Sequence, residues 1–465
     1  MKEKGREVSI CKKAPHGKRE RKSARLNMPM SVEMSEPQRV SGDITAHPPP
    51  AIDIFGSIDR EVGILDGFDH VVLPHNLNSE TVAFRLEPDH VHYIQPNKTR
   101  LYCKFKIVRG DGAELGELDN VNIVNLLPAA LFKTCQLSVN DMAAGGTDLH
   151  HLAYKSILET MSSYDEGAVN THLQNSLFYP DTAGQFDSLT NENKGYQKRK
   201  ALIAKSKTCE FITPLNLDVL SVDKLFPPGL KLNVTFIKND PKWFLLSNEV
   251  NPSYNIKFEA LELIFRKIRV SPTIYTRHEQ ALMRGSYAKY PYKRNVIKKM
   301  FLNTGERTIY WQNAFNGALP SQLFMVMNKN SADLGDFKLN PFNFQHFDLA
   351  RSSLTLDGRV VETYQTNFDE NEFAKMLYAY YENIGIQDYN GGCSVDRKRF
   401  SNGSTIVSWN LIADKKGAMF ERFGGIDLHL EFKKPLAERV TVILWGIYDD
   451  VLRITPDKRF ETSTT

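Results

Sequence analysis

The sequence predicts an all-β fold made of two tandem sandwiches. Three observations carry that expectation. Apolar and polar residues alternate with period two in short segments along most of the chain, the signature of strands with one buried face. The same order of elements occurs twice. Finally, 465 residues exceed one ordinary domain but allow two a sizeable core each.

The chain opens with a different texture. Residues 1–26 hold ten Lys/Arg against three Glu, a balance of +7, so the remaining 49 basic residues face 52 acidic ones in a body of −3. Without periodic apolar positions such an arm cannot bury enough surface to order itself, and it is expected to wait for a polyanion or a partner. Its cations Lys12, Lys13, Lys18, Arg19, Arg21, Lys22 and Arg25 are candidates for phosphate contact or a nuclear address; a solubilising tail is the plainer reading. The run Ala46-His-Pro-Pro-Pro-Ala51 reads as a spacer. Residues 1–51 are thus arm and spacer, and folding is expected from Ile52. No run of eighteen apolar residues occurs and the first thirty residues are charged, so neither a membrane span nor a secretory signal is expected, and synthesis should be cytosolic.

Alternation sets the strands of the first unit, assigned to residues 52–270. They are Thr81–Leu86, Arg100–Val108, Cys135–Val139, Leu230–Ile237 and Ile256–Ile264. A helix or linker is expected over 271–289. The second unit, 290–455, carries Gln322–Met327, Ser353–Leu356, Thr405–Leu411, Ile426–Phe432 and Val440–Tyr448, with a tail at 456–465. Helical spacing is confined to Asp148–Ser163, Thr273–Arg284 and Glu370–Asn383.

The duplication lies in the order. Leu137-Ser-Val-Asn-Asp141 reads as a strand and tight turn, then come a helix, a long polar excursion and Gly229-Leu-Lys-Leu-Asn-Val-Thr-Phe236 before a last long strand. The second half repeats this with Leu354-Thr-Leu-Asp-Gly358, a helix, a glycine-rich excursion and Gly425-Ile-Asp-Leu-His-Leu-Glu-Phe432. Loops differ in length while strands keep their order, as in a duplicated domain. The strand count and long crossing connections favour a jelly roll, two four-stranded sheets face to face, for each unit.

No catalytic constellation is predicted, and no cofactor or metal. The cysteines 11, 103, 135, 209 and 393 are odd in number, widely spaced and free of CxxC pairs, which disfavours disulfides and zinc. Arg109-Gly-Asp-Gly-Ala-Glu-Leu-Gly116 misses both phosphate-loop spacings and reads as a hairpin tip. His90 and His92 share a strand face and His150-His151 adjoin a helix start, but a third ligand is wanting. Cys393 sits in a glycine loop without an identifiable histidine partner. The sequons at Asn97, Asn233 and Asn402 carry little weight without a secretory route.

Between the two expected sandwiches lies a basic run, Arg277 to Lys299, interleaved with Tyr287, Tyr290 and Tyr292. Tyr and Arg are enriched at interfaces, so Tyr287, Tyr290, Tyr292 and Arg294 are the subunit-interface candidates, ahead of nucleic-acid contact or a solvated linker.

Five strings then become recognisable: Asn125-Leu-Leu-Pro-Ala-Ala-Leu-Phe132, the helix Tyr154–Tyr164, Gly195-Tyr-Gln-Lys-Arg-Lys200, Ala288-Lys-Tyr-Pro-Tyr-Lys-Arg294 and Asn340-Pro-Phe-Asn-Phe-Gln-His-Phe-Asp-Leu349. In this order they resemble the major capsid proteins of the Polinton (Maverick) and adintovirus group, over about residues 55–455. The resemblance implies a non-enzymatic double jelly-roll subunit that trimerises into pseudohexameric capsomers of an icosahedral DNA virus or virus-like mobile element. It also implies residence in the virion, synthesis in the host cytoplasm with the nucleus as a candidate place of assembly, and penton or minor capsid partners. The basic arm matches no motif of that family, and genomic DNA is its possible partner. A carbohydrate-binding or carbohydrate-active sandwich, a DNA-binding scaffold and a minor capsid role stay open as alternatives.

Overall fold

A computed structural model describes residues 63–77, 79–147, 150–388, 391–411 and 422–462, which lie within one compact unit, residues 61–465. The basic arm and the Pro-rich spacer fall outside the described residues.

The first eight barrel strands are β1 (Ile64–Val72), β2 (Thr81–Leu86), β3 (Tyr93–Arg109), β4 (Phe132–Val139), β5 (Met142–Thr147), β6 (Cys209–Pro214), β7 (Leu232–Lys238) and β8 (Tyr254–Val270). They pair antiparallel in two sheets, β1-β8-β3-β6 and β2-β7-β4-β5. The next eight are β9 (Ala288–Leu302), β10 (Thr308–Ala318), β11 (Gln322–Lys329), β12 (Leu349–Leu356), β13 (Arg359–Gln365), β14 (Val407–Asn410), β15 (Phe423–Phe432) and β16 (Val440–Ile454). Their sheets, β9-β16-β11-β14 and β10-β15-β12-β13, repeat the first topology strand for strand. This is a double jelly roll.

Alternation drives each barrel closed. Val82, Phe84 and Leu86 of β2, Leu101, Cys103 and Phe105 of β3, and Leu232, Val234 and Phe236 of β7 point inward and are buried, each contributing roughly 1.5–3 kcal/mol of transfer free energy for its larger side chains. The duplicated hairpin is the same in both barrels. Asn140 and Asp141 between β4 and β5, and Asp357 and Gly358 between β12 and β13, all have positive φ, the two-residue type I′ turn that fits the twist of antiparallel strands.

Because consecutive strands run in opposite directions, every odd-to-even connection lies at one end of a barrel. The even-to-odd connections and both barrel termini lie at the other. The long excursions 110–131, 148–208 and 239–253 therefore share one end, here the loop end. The hairpin turns, the start of β1 and the close of β8 share the terminal end.

The α-helices of ten residues or more among the described residues are α1 (His151–Ser163), α2 (Lys194–Ile203), α3 (Pro272–Met283) and α4 (Ala374–Ile384). α1 and α4 occupy the same place in chain order, between the fifth and sixth strands of their barrels, but they pack differently. Asn383 on α4 donates to the carbonyl of Trp409 in β14 (3.3 Å), whereas the turn holding Ser176 takes the corresponding place on β6 and α1 lies toward the second barrel.

Two expectations are corrected, and two strands are added. The segment from Ala288 is not a linker surface but strand β9, whose tyrosines 290 and 292 point inward while Lys289, Pro291 and Lys293 point out; lysines disguised the alternation. β1 and β10 were not singled out, since apolar residues stand on the outer side of both. The C-terminal stretch is no free tail: Phe460–Thr462 forms a short strand on the end of β16.

Candidate assembly interface

The two barrels meet along a buried junction, and all five of the recognisable strings contribute to it or brace it. At the loop end the hub is Asp333, which lies between β11 and β12 and is itself buried. Its carboxylate accepts hydrogen bonds from Tyr154 Oη on α1 (2.6 Å) and Lys299 Nζ on β9 (2.6 Å), and its carbonyl accepts from Trp243 Nε1 (3.0 Å). Lys299 also lies 4.8 Å from the centre of the Tyr154 ring. Burial, then the Asp333 carboxylate, push the Tyr154 phenol well above its ordinary pKa. Phe342 closes the cluster edge-on to Trp243 at 5.7 Å and to Tyr154 at 6.3 Å. His150 stacks on Trp243 at 4.3 Å; burial, then the nearby Lys299 charge, lower its pKa to about 4.

A second hub, Asp181, holds the 148–208 excursion in place. It pairs with fully buried Arg199 on α2 (2.6 Å) and accepts from Asn193 Nδ2 (2.8 Å) and, across the junction, from Asn340 Nδ2 (3.1 Å). Arg199 also donates to the carbonyls of Ile123 (2.9 Å) and Tyr179. Gly195 is required here because a Cβ would fall 2.3 Å from the Pro180 carbonyl oxygen. Buried charges of this kind are tolerated only when fully paired, so the hubs specify geometry as much as they add stability.

Midway, Lys155 of α1 is buried against Asp218 (2.6 Å), and Asp218 accepts from the backbone N–H (2.7 Å) and Nδ2 (2.8 Å) of Asn295 on β9. Burial opposes the charge on Lys155, but Glu159 and Asp218 outweigh it and hold its pKa above the ordinary lysine value. Beside this contact a cleft of about 850 Å³ opens between the barrels, lined by Glu159, Lys293, Phe324 and Trp445 among others. The equivalent helices touch: Ser162 Oγ is 3.0 Å from Tyr380 Oη.

At the terminal end the contact is more apolar. Phe226 packs edge-on to Tyr290 (5.3 Å) and Phe460 (5.1 Å), and Tyr290 Oη donates to the Leu225 carbonyl (3.0 Å). Lys458 Nζ reaches the Pro228 carbonyl (2.9 Å), and the Lys458 carbonyl accepts from Asn140 Nδ2 (2.8 Å).

These placements redistribute the sequence candidates. Tyr290 and Tyr292 are buried within the chain, so they have no surface to offer another subunit. Arg294 is engaged internally, 2.9 Å from Asp450 and stacked 4.4 Å from the centre of Tyr448. Tyr287 alone of the four is freely exposed, at 49 %. Lys12, Lys13, Lys18, Arg19, Arg21, Lys22 and Arg25 lie outside the described residues. The hubs Asp181, Asp218 and Asp333 were not singled out; Lys155 on an otherwise apolar helix face was the one legible sign of a buried charge.

The weaker chemical candidates find ordinary partners. Gly112 N–H donates to the Arg109 carbonyl (2.9 Å) in a tight turn, a hairpin tip. His92 Nδ1 sits 2.8 Å from Asp89 Oδ2. Burial raises the Cys393 thiol pKa, opposite to an activated nucleophile. Among the described residues no group of three His, Cys, Asp or Glu side chains is arranged to hold a metal, and no helix is long and apolar enough to cross a membrane.

Among the exposed large apolar side chains, two groups stand on strands or beside them. On the first barrel, Ile64, Leu65, Phe68 and Val71 of β1 and the following Leu73 are exposed; on the second, Tyr310, Val360, Val361 and Phe423 are.

A chain of this architecture is a double jelly roll, and known structures share it. A chain of the Sputnik virophage, solved by cryo-EM, superposes with a TM-score of 0.56 at 10% identity, covering 90% of this chain and 93% of its own. The crystal structure of the mavirus major capsid protein gives 0.51 at 9% identity, covering 92% and 97%. In sequence, the chain is 21% identical over 359 residues to uncharacterized protein F54H12.2 of Caenorhabditis elegans, covering 74% of this chain and 83% of that protein. No family model matches the chain.

Proposed function

We propose that this protein is a major capsid protein, a non-enzymatic building block whose three copies close into a six-barrel capsomer of an icosahedral virion or virus-like element. The observation that carries the reading is the pair of barrels of identical topology, aligned with both loop ends together and locked by buried hubs. A mavirus major capsid protein has the same fold. The five strings favour the Polinton and adintovirus group within that class, and a relative in an animal suits a virus-derived gene carried in a genome. In the described residues the two barrel units run from Ile64 to Val270 and from Ala288 to Ile454, and the lattice would add penton and minor capsid partners. A carbohydrate-binding sandwich is disfavoured because Trp243, Trp409 and Trp445 are buried, leaving only the partly buried Trp311 and no pair of tryptophans for a platform.

The test is the mass of the purified full-length protein. A stable trimer, and particles by electron microscopy, are expected; a monomer at high concentration across several salt levels overturns the reading. The arm of residues 1–26 would face the genome. Deleting it should leave the trimer intact and abolish salt-dependent, sequence-independent DNA binding, because phosphate contacts release counterions but carry no base information.

A further inference from the structure

We propose that a basic pocket at the loop end of the first barrel is a binding site for a sulfated glycan. This rests on the capsid-subunit reading, which supplies the outward orientation of that end but nothing of the pocket's chemistry.

The pocket, of about 920 Å³, is lined by the ends of β3 and β8 from one sheet and of β4 and β7 from the other. Five Lys and Arg side chains line it, and two of them are neutralised locally: Arg109 by Asp119 (2.9 Å) and Lys242 by Asp240 (3.5 Å). Lys133, Lys238 and Lys257 pair with no carboxylate among the described residues, and the remaining acid on the wall is Glu80. The pocket therefore keeps an excess of positive charge.

Lys238 shows that this charge is built in. It is partly buried, its Nζ lies 4.8 Å from the centre of the Phe258 ring, and its ammonium donates to the Leu77 carbonyl (2.8 Å). An ammonium carries three donors, so two are left without an acceptor among the described residues. Burial lowers its pKa, as expected of a cation short of counter-charge. The second barrel shows the alternative at the same end. There Lys433, just past β15, is held by Asp369 (2.6 Å), whereas the first barrel supplies no such carboxylate to Lys238.

Three lysines sharing one pocket call for a ligand with several oxyanions, held by charge-assisted hydrogen bonds. The start of β1 belongs to the terminal end, and the arm that precedes it is the part turned to the genome in the capsid reading. The loop end then faces outward, where the polyanions of a cell surface are sulfated glycans. Single-stranded nucleic acid also needs aromatic faces for its bases, and Trp243, Phe244 and Phe258 in this wall are buried. A sulfated glycan is gripped through its charges, so it requires no tryptophan platform.

Lysine footprinting on the full-length protein reads the site locally, apart from the arm. A heparin-derived hexasaccharide should slow acetylation of Lys133, Lys238 and Lys257, while Lys194 and Lys198, exposed on α2, react unchanged. The concentration that half-protects Lys238 should rise roughly tenfold in Lys133→Glu with Lys257→Glu, the loss of about one charge-assisted hydrogen bond. It should not move in the control Lys194→Glu with Lys198→Glu. Both pairs are exposed, and unchanged melting would establish that the variants fold. Absence of protection overturns the site, and an equal loss in the control reduces it to diffuse surface charge and overturns it too. Equal protection by a single-stranded oligonucleotide of matched charge overturns the glycan assignment. The mass of the same sample separates the two readings: a trimer without protection removes the site and leaves the capsid subunit, whereas a monomer with protection leaves the pocket's chemistry and removes the capsid subunit.

Discussion

The two ends of the barrel junction hold by different physics. At the loop end, charges are buried and paired: Asp333 accepts from Tyr154 and Lys299 on its carboxylate and from the Trp243 indole on its backbone carbonyl, and Asp181 serves Arg199, Asn193 and Asn340. At the terminal end, Phe226, Tyr290 and Phe460 meet edge to face, and the polar contacts are the Tyr290 hydroxyl on the Leu225 carbonyl and those of the partly exposed Lys458. The first kind of contact tolerates almost no displacement, because an uncompensated buried charge is costly. The second degrades gradually as area is lost. A subunit that must present two barrels in a fixed relation gains from having the exacting contact where the long loops converge.

The largest expected effect breaks the loop end. Asp333→Ala strands the Lys299 ammonium and the Tyr154 hydroxyl in the junction and should cost about 3–5 kcal/mol, read as a loss of stability in chemical denaturation. A cost under about 1 kcal/mol would mean that water reaches the hub freely and the contrast between the ends is false.

Acid should act on the same end. His150 has a folded pKa lowered to about 4 from 6.5, with burial first and Lys299 next among the causes, and with Asn239 and Asp333 opposing them. The unfolded chain therefore binds the proton first. The His150 contribution is fully present above pH 6.5 and is lost as pH falls from there through 4, on the order of 3 kcal/mol in all. His150→Asn suits the left-handed backbone at this position (φ 67°) and should flatten that part of the stability–pH curve. An unchanged curve would place the acid sensitivity elsewhere, with Asp89 the first alternative. Burial opposes the Asp89 carboxylate, but hydrogen bonds from Lys267, Val91 and His92 hold its pKa well below the usual range.

The smallest effect sharpens the other side of the comparison. Phe460→Ala removes a partly buried ring from the terminal end and should cost about 1–2 kcal/mol, below the range for fully buried aromatics, with no change in the pH profile. A loss as large as that of Asp333→Ala would show that the short C-terminal strand, and not the hubs, sets the relation of the barrels.

Much of the fold was legible because its signals are local. Alternation located β2, β4, β7, β11, β12, β14 and β15 to within a few residues and only part of the longer β3, β8 and β16, and the repeated strand-turn-helix order pointed to the duplication. β9 was missed as a strand because its outward lysines read as a basic surface. Its Tyr290 and Tyr292 read as outward for the same reason, although their alternate spacing already placed both on one face.

By itself the sequence determined two sandwiches, their order, the tight hairpin turns and the charge of the arm, since period, turn chemistry and composition act within a few residues of one another. Only the tertiary structure decided which surfaces are covered. Asp181, Asp218 and Asp333 are ordinary loop aspartates until Asn340, Asn295 and Tyr154 arrive from elsewhere in the chain. β1 and β9 are equivalent first strands, yet Phe68 and Val71 of β1 stay exposed while Asn295 and Lys289 of β9 are held by Asp218 and Lys224, because those groups belong to the opposite barrel and no local pattern records where a distant segment will pack.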